Sequence, residues 1–498
     1  MARFTMARSR HVALALTLLV APGVVATSAS ATGVPAATDP APSAPAQRHR
    51  HLYVGGFASP AIAGASVTRD GAMRLVSSSP FPSGPSSLGM AITPDGRTLY
   101  SVSAGLQLSS LPLQPGSITR YRTAADGTLT ETGETVAAGP VIGAAITPDG
   151  SRLFVTVATG TTGEVLSYSV SPSGDLIPTG APPVPVPSAV SQVAISPDAR
   201  HLFVSNFLTN NMSSFEIASD AGLSPVGAPV PTGDKPALPA ISPDGRRLYV
   251  SNEGSGDVSG YAIGRNGRLS PLPGSPYVSG GTPHGAVFTP DSRRVYVANA
   301  AGDTITGWSI GRDGRLSPLP GSPYSSPGVA RVVLSADAQV LYAMTGAPRR
   351  SGKVSSLAVR PDGSLTPTGF PSISTGLFWH DGSNAFLTPN QGPIAALRAE
   401  GHGRGPTRTF SAAGSSDPDG RVARYRWDFG DGSAETTTTP RVTHRYSTAG
   451  PRTVSVTVTV TVTDDEGCST VLVYNGTTVE CRGGARARAT ERIDVGRP

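Results

Sequence analysis

The chain has 498 residues, 38% of them hydrophobic and 15% charged, with a formal net charge of +6 and two cysteines. That length exceeds what one core usually serves, so two domains or a repetitive fold are expected. The arginines are scattered rather than gathered into a stripe, which argues against a nucleic-acid-binding surface, and no apolar run approaches the roughly 20 residues of a membrane-spanning helix.

Residues 1–31 read as a signal peptide. Arg3, Arg8 and Arg10 form a basic start, HVALALTLLV an apolar centre, and Ala29-Ser30-Ala31 a small-residue cleavage site. Export with cleavage near Ala31 is expected, leaving the protein secreted, extracellular or loosely associated with the cell surface. Residues 32–49 are rich in Ala and Pro and read as a disordered leader.

From residue 50 the sequence repeats. A strand, a turn and a second strand recur as MAITPDGRTLY, AAITPDGSRLFV, VAISPDARHLFV, PAISPDGRRLYV and AVFTPDSRRVYV, with a weaker VVLSADAQVLYA. The turn aspartates Asp95, Asp149, Asp198, Asp244, Asp291 and Asp337 are 54, 49, 46, 47 and 46 residues apart. A second element appears seven times and is nearly verbatim in YAIGRNGRLSPLPGSP from Tyr261 and WSIGRDGRLSPLPGSP from Trp308. Pro presets the first turn dihedral, Asp bonds locally to the backbone and Gly takes the left-handed position, so both elements read as hairpins. Four short strands per unit and seven units predict a seven-bladed β-propeller over residues 50–388. HLYVGG at the start lacks its preceding strand, and STGLFWHDGSNAFLTP from Ser374 supplies a strand and turn without the usual continuation, so the last segment is expected to complete the first blade.

These LYVSN and VYVAN strands and the DGxLSPLxGSP continuation resemble the YVTN repeats and the lactonase-type seven-bladed propellers related to bacterial 6-phosphogluconolactonase. The resemblance implies the fold; its scaffold hosts many functions.

Residues 389–498 use another vocabulary. SSDPDG, YRWDFGDG and TVTVTDDEG together resemble the PKD domain, a small immunoglobulin-like β-sandwich. The overall expectation is therefore an all-β chain. Val454, Val456, Val458, Val460 and Val462 alternate with Ser or Thr, placing one apolar face on a long strand. Cys468 and Cys481 flank a short segment and are expected to staple a hairpin as a disulfide.

The turn aspartates occupy the same slot in each unit and read as structural, as do Asn206, Asn252 and Asn299 at equivalent strand ends. His284 stands out, because the slot it fills is taken elsewhere by Leu88, Ile142, Ser191, Ala237 and Ala330. In lactonase-type propellers this strand carries His or Arg toward the central channel, so the resemblance implies a candidate catalytic His284, with Glu253 and Arg331 as partners. Asp417, Asp419, Asp428 and Asp431 offer oxygens for a calcium site in the PKD-like part, against the plainer reading that they shape tight turns. No cofactor is otherwise required.

Lacking a convergent nucleophile and base, the sequence favours an interaction protein over an enzyme: a monomeric propeller binding an extracellular protein or polysaccharide, with the PKD-like domain as spacer or adhesive module. The alternatives are a lactonase-like hydrolase and an accessory subunit of an extracellular degradative system.

Overall fold

Each copy of the repeat folds as an antiparallel sheet. In the computed structural model, residues 50–56, 59–84, 86–105, 116–137, 139–346, 351–378, 385–400, 406–447, 453–468, 470–474, 479–483 and 485–495 are described. The expected signal peptide and leader lie outside these residues. The fifth blade shows the plan: an inner strand Pro236–Ile241, then Arg247–Asn252, Asp257–Ile263 and the outer Leu269–Pro271, each paired to the one before. Seven such sheets are found among the described residues. Their inner strands, Ser87–Ile92, Val141–Ile146, Ser191–Ile195, Pro236–Ile241, Pro283–Phe288, Val329–Leu334 and Ala385–Leu387, neighbour one another in that order and close into a ring.

Strand composition follows from this stacking. A blade is covered on both faces by its neighbours, so the inner strand SLGMAI is buried throughout and RLYVSN nearly so, and both read as continuous apolar or small runs. In the turn between Pro236–Ile241 and Arg247–Asn252, Ser242 Oγ donates to Asp244 Oδ1 at 2.6 Å, and Arg246 N–H to the same oxygen at 3.1 Å. The repeated aspartate is thus spent inside its own turn.

The outer hairpins are latched across blades. Tyr53, Tyr100, Tyr249 and Tyr296 donate their phenolic O–H groups to the carbonyls of Gly127, Gly174, Gly314 and Gly363 at 3.0, 2.7, 2.7 and 2.8 Å. Each accepting glycine has a positive φ and sits in the outer hairpin turn of the following blade. In the two near-identical stretches the equivalent turn glycines both pack on the preceding blade, Gly314 accepting from Tyr249 and Gly267 lying against His201.

The first blade joins the two ends of the array. Leu52, Tyr53 and Val54 pair with Leu387, Phe386 and Ala385. The closing strand is the segment after Asp381-Gly382. The strand before it, Ile373–Phe378, pairs instead with Ser351–Val359 of the seventh blade.

The described chain forms two compact units, the first reaching Thr388 and the second beginning at Pro389. In the second, a three-stranded sheet of Arg398–Glu400, Thr407–Ser411 and Arg441–Arg445 and a four-stranded sheet of Ala434–Thr437, Val422–Asp428, Val454–Asp464 and Arg488–Val495 supply one core. Trp427, Phe410, Phe429, Val458, Val460 and Val462 fill it, and Trp427 Nε1 donates to Thr437 Oγ1 at 2.9 Å. The valine alternation holds for Val456 through Val462, whereas Val454 is 56% exposed at the strand's outer end.

Candidate functional site

His284 is placed by an irregularity. Its strand pairs Pro283 with Asn299 and then Ala286 with Val297, so one extra residue is bulged out at His284-Gly285, where Gly285 has φ +80. A bulge re-aims side chains, and here His284 Nε2 lies 3.6 Å from Glu253 Oε1, at the end of the fifth blade's second strand. The two side chains are 11% and 12% exposed. Gly285 N–H donates to Ser251 Oγ at 3.2 Å, fixing the bulge.

Arg331 comes from the next inner strand, where Val329 pairs with Thr345 and Arg331 with Met344, bulging Ala330. Its side chain reaches back over Gly285: a Cβ there would collide with Nη1 of Arg331 and lie 3.2 Å from Leu238 Cδ1. Arg331 is 3% exposed. Its Nε has no hydrogen-bond partner among the described residues, and burial lowers its pKa to about 10. It is still a cation at neutral pH, and a buried cation without a counter-ion is unfavourable unless something anionic arrives.

The three residues singled out in the sequence are thus brought to adjoining blades, with Gly285 between His284 and Arg331. Of the next slot along, filled by Gly89, Gly143, Gln192, Leu238, Gly285 and Arg331, the sequence singled out Arg331 alone. There the long side chains lie over the preceding blade's glycine: Gln192 Oε1 would stand 2.9 Å from a Cβ on Gly143, as Arg331 stands against Gly285. The signal was present as glycines in register with long side chains. The other blades contribute an apolar cluster including Leu88, Ile142, Val190, Phe207 and Leu238.

The strand-end asparagines stay local. Asn252 Nδ2 donates to Asp257 Oδ1 and Ser259 Oγ at 2.6 and 2.8 Å, and Asn299 Nδ2 to Thr304 and Thr306 Oγ1 at 3.1 and 2.7 Å.

The four aspartates of the second unit do not converge. Asp417 and Asp419 precede the strand Val422–Asp428, near Asp464, which pairs with Val422. Asp428 and Asp431 stand at the strand's other end, where Asp431 Oδ2 lies 2.8 Å from His444 Nε2. Among the described residues no group of three His, Cys, Asp or Glu side chains is disposed to hold a metal ion. The Cys481 side chain lies outside the described residues.

With this geometry in hand, comparison with known proteins gives two families. Residues 176–288 match the lactonase, 7-bladed β-propeller family, and residues 390–479 the PKD domain. The periplasmic gluconolactonase of Pseudomonas aeruginosa superposes with a TM-score of 0.56 at 21% identity, covering 68% of this chain and 99% of that one. A proposed 6-phosphogluconolactonase of Bacteroides uniformis gives 0.56 at 15% identity, covering 68% and 100%. At such identities these likenesses show the fold. A microbial collagenase of Vibrio alginolyticus is 39% identical over 89 residues, 18% of this chain and 10% of the collagenase. Collagenase ColQ1 of Bacillus cereus is 35% identical over 126 residues, 24% and 12% respectively, so this chain spans about a tenth of the curated relatives it matches. The chain joins a lactonase-type seven-bladed β-propeller, matched over residues 176–288, to a PKD domain, matched over residues 390–479.

Proposed function

We propose that the propeller is a lactone hydrolase whose site is His284, Glu253 and Arg331. The observation that carries this reading is the buried guanidinium of Arg331, whose Nε has no partner among the described residues, set one glycine away from a histidine that pairs with a glutamate. His284 takes a proton from water as the water oxygen adds to the lactone carbonyl carbon. Arg331 faces the negative charge that develops on the carbonyl oxygen, a role in which a preorganised donor in a dry site acts strongly. When the tetrahedral adduct collapses, the ring C–O bond breaks and His284 returns the proton to the departing alkoxide. One lactone and one water give one hydroxy acid, and its carboxylate then faces Arg331. Glu253 acts by orienting His284 and stabilising its protonated form.

Turnover of lactones by the purified full chain, lost in His284→Ala, tests the reading. An inactive chain that still captures an extracellular protein or polysaccharide would instead favour the propeller as a binding platform. Shared PKD sequence with two collagenases supports an extracellular role for the C-terminal unit as a tether or spacer. Among the described residues no helix is long and apolar enough to cross a membrane.

The same unit carries the proposed Cys468–Cys481 disulfide. In its support, Cys468 is not a free thiol, and Cys481 is the only other cysteine in the chain. In the chain-entropy model such a short loop contributes about 3 kcal/mol. Mass measurement under alkylation, with and without reductant, checks it: alkylation of both thiols without reductant would refute it.

A further inference from the structure

We infer that the ligand of the propeller site is amphipathic: a lactone ring carrying an apolar acyl chain, rather than a polyhydroxylated or phosphorylated sugar lactone. The inference rests on the hydrolase reading and adds the substrate class. Its basis is how the inner ring divides. Blades five to seven supply Glu253, His284 and Arg331, while blades two to five supply one apolar cluster that includes Leu88, Ile142, Val190, Phe207 and Leu238. Leu238 belongs to both arcs, since its Cδ1 and the Arg331 guanidinium flank the same glycine. The apolar wall is therefore continuous with the charged centre.

A sugar lactone presents a hydroxyl on nearly every carbon, and each buried hydroxyl needs a partner. The slot occupied by His284 offers instead Leu88, Ile142, Ala237 and Ala330 in blades two, three, five and seven, with Ser191 bearing a hydroxyl in blade four. That hydroxyl already donates to the Ser188 carbonyl at 2.7 Å. Gln192, the polar residue of the neighbouring slot, donates its amide to the Ile142 carbonyl at 3.0 Å. A phosphate would want a cluster of cations, whereas among the described residues the centre holds the one buried guanidinium of Arg331, enough for a single carbonyl oxygen or carboxylate. An alkyl chain against the apolar arc needs no polar partner and gains from every methylene it buries.

The experiment compares kcat/KM of the full chain for N-butanoyl-homoserine lactone, N-decanoyl-homoserine lactone and δ-gluconolactone, with calorimetric binding of all three to His284→Ala. Six added methylenes in an apolar site should raise kcat/KM and affinity at least about tenfold, well inside the limit set by full burial. Ile142→Asn should flatten the chain-length profile, lowering kcat/KM for the decanoyl compound at least about tenfold relative to the butanoyl one. Leu88→Gln serves the same purpose should the first variant fail to fold. Turnover of δ-gluconolactone with a flat or falling chain-length profile overturns the inference and leaves the hydrolase reading standing. Chain-length-dependent binding without turnover overturns the hydrolase reading and upholds the ligand class. Neither binding nor turnover of any of the three overturns both.

Discussion

Tyr249 and Gly314 are joined across two blades by a 2.7 Å hydrogen bond from a buried phenol to a hairpin carbonyl. Burial raises the Tyr249 pKa well above its ordinary value, so the bond persists throughout the working pH range. Tyr249→Phe leaves the Gly314 carbonyl without this donor and should destabilise the propeller by about 1–2 kcal/mol. The third and fourth blades have Phe154 and Phe203 where the others have tyrosine. In the fourth, His201 lies against Gly267 as His51 lies against Gly127 beside Tyr53. Phe203→Tyr should therefore add a latch to the Gly267 carbonyl and stabilise by up to about 1 kcal/mol, read by chemical denaturation.

Arg331→Met separates function from fold. Removing a buried cation whose Nε has no partner among the described residues should leave stability unchanged or raise it by about 1 kcal/mol or more, while lactone turnover falls by about a hundredfold or more. A variant that is less stable yet keeps its specific activity would contradict the role given to Arg331. Denaturation and kinetics on one preparation decide between them.

Gly285→Ala should damage the site from the backbone. The residue has φ +80, and its new methyl group would displace the guanidinium. A loss of about 1–3 kcal/mol is expected. In an Arg331→Met background the steric part can relax, so the double-mutant cycle should show coupling of about 1 kcal/mol.

The C-terminal unit should respond to pH from two sides. Burial, followed by the charges of Asp419 and Asp464, pushes Asp417 up to about 7. The folded state thus holds a proton that the unfolded state releases near pH 4, and stability from this group is lost as pH rises toward 7. For Asp431, burial acts upward, but hydrogen bonds from Ser433 and His444 prevail and bring it down to about 2. Its contribution is present above pH 4 and is lost as pH falls toward 2. Thermal melts of the full chain in chelator should show the neutral-side loss abolished by Asp417→Asn and the acid-side loss reduced by Asp431→Asn.

The period and the turn chemistry made the propeller legible, because each blade must solve the same packing problem and does so with the same letters. His284 was visible for the opposite reason, as the residue that departs from Leu88, Ile142, Ser191, Ala237 and Ala330. What sequence could not supply was the bulge at His284-Gly285 and the reach of Arg331 across it, since both depend on how neighbouring inner strands meet. The tyrosine latches escaped notice because donor and acceptor lie 74, 74, 65 and 67 residues apart, in different blades. The long valine strand misled at one position only, where Val454 runs past the core.

Closure by Ala385–Leu387 also sets a timetable. Leu52 and its partner Leu387 are 387 − 52 = 335 residues apart, so the first blade lacks its innermost strand until almost the whole propeller has been synthesised. Until then the strand Arg50–Gly55 keeps an open edge, able to accept a strand from any chain nearby. Folding of the ring is thereby deferred to its final residues, and a chain cut anywhere before Ala385 would leave an open edge that the Ala385–Leu387 strand of an intact copy could fill.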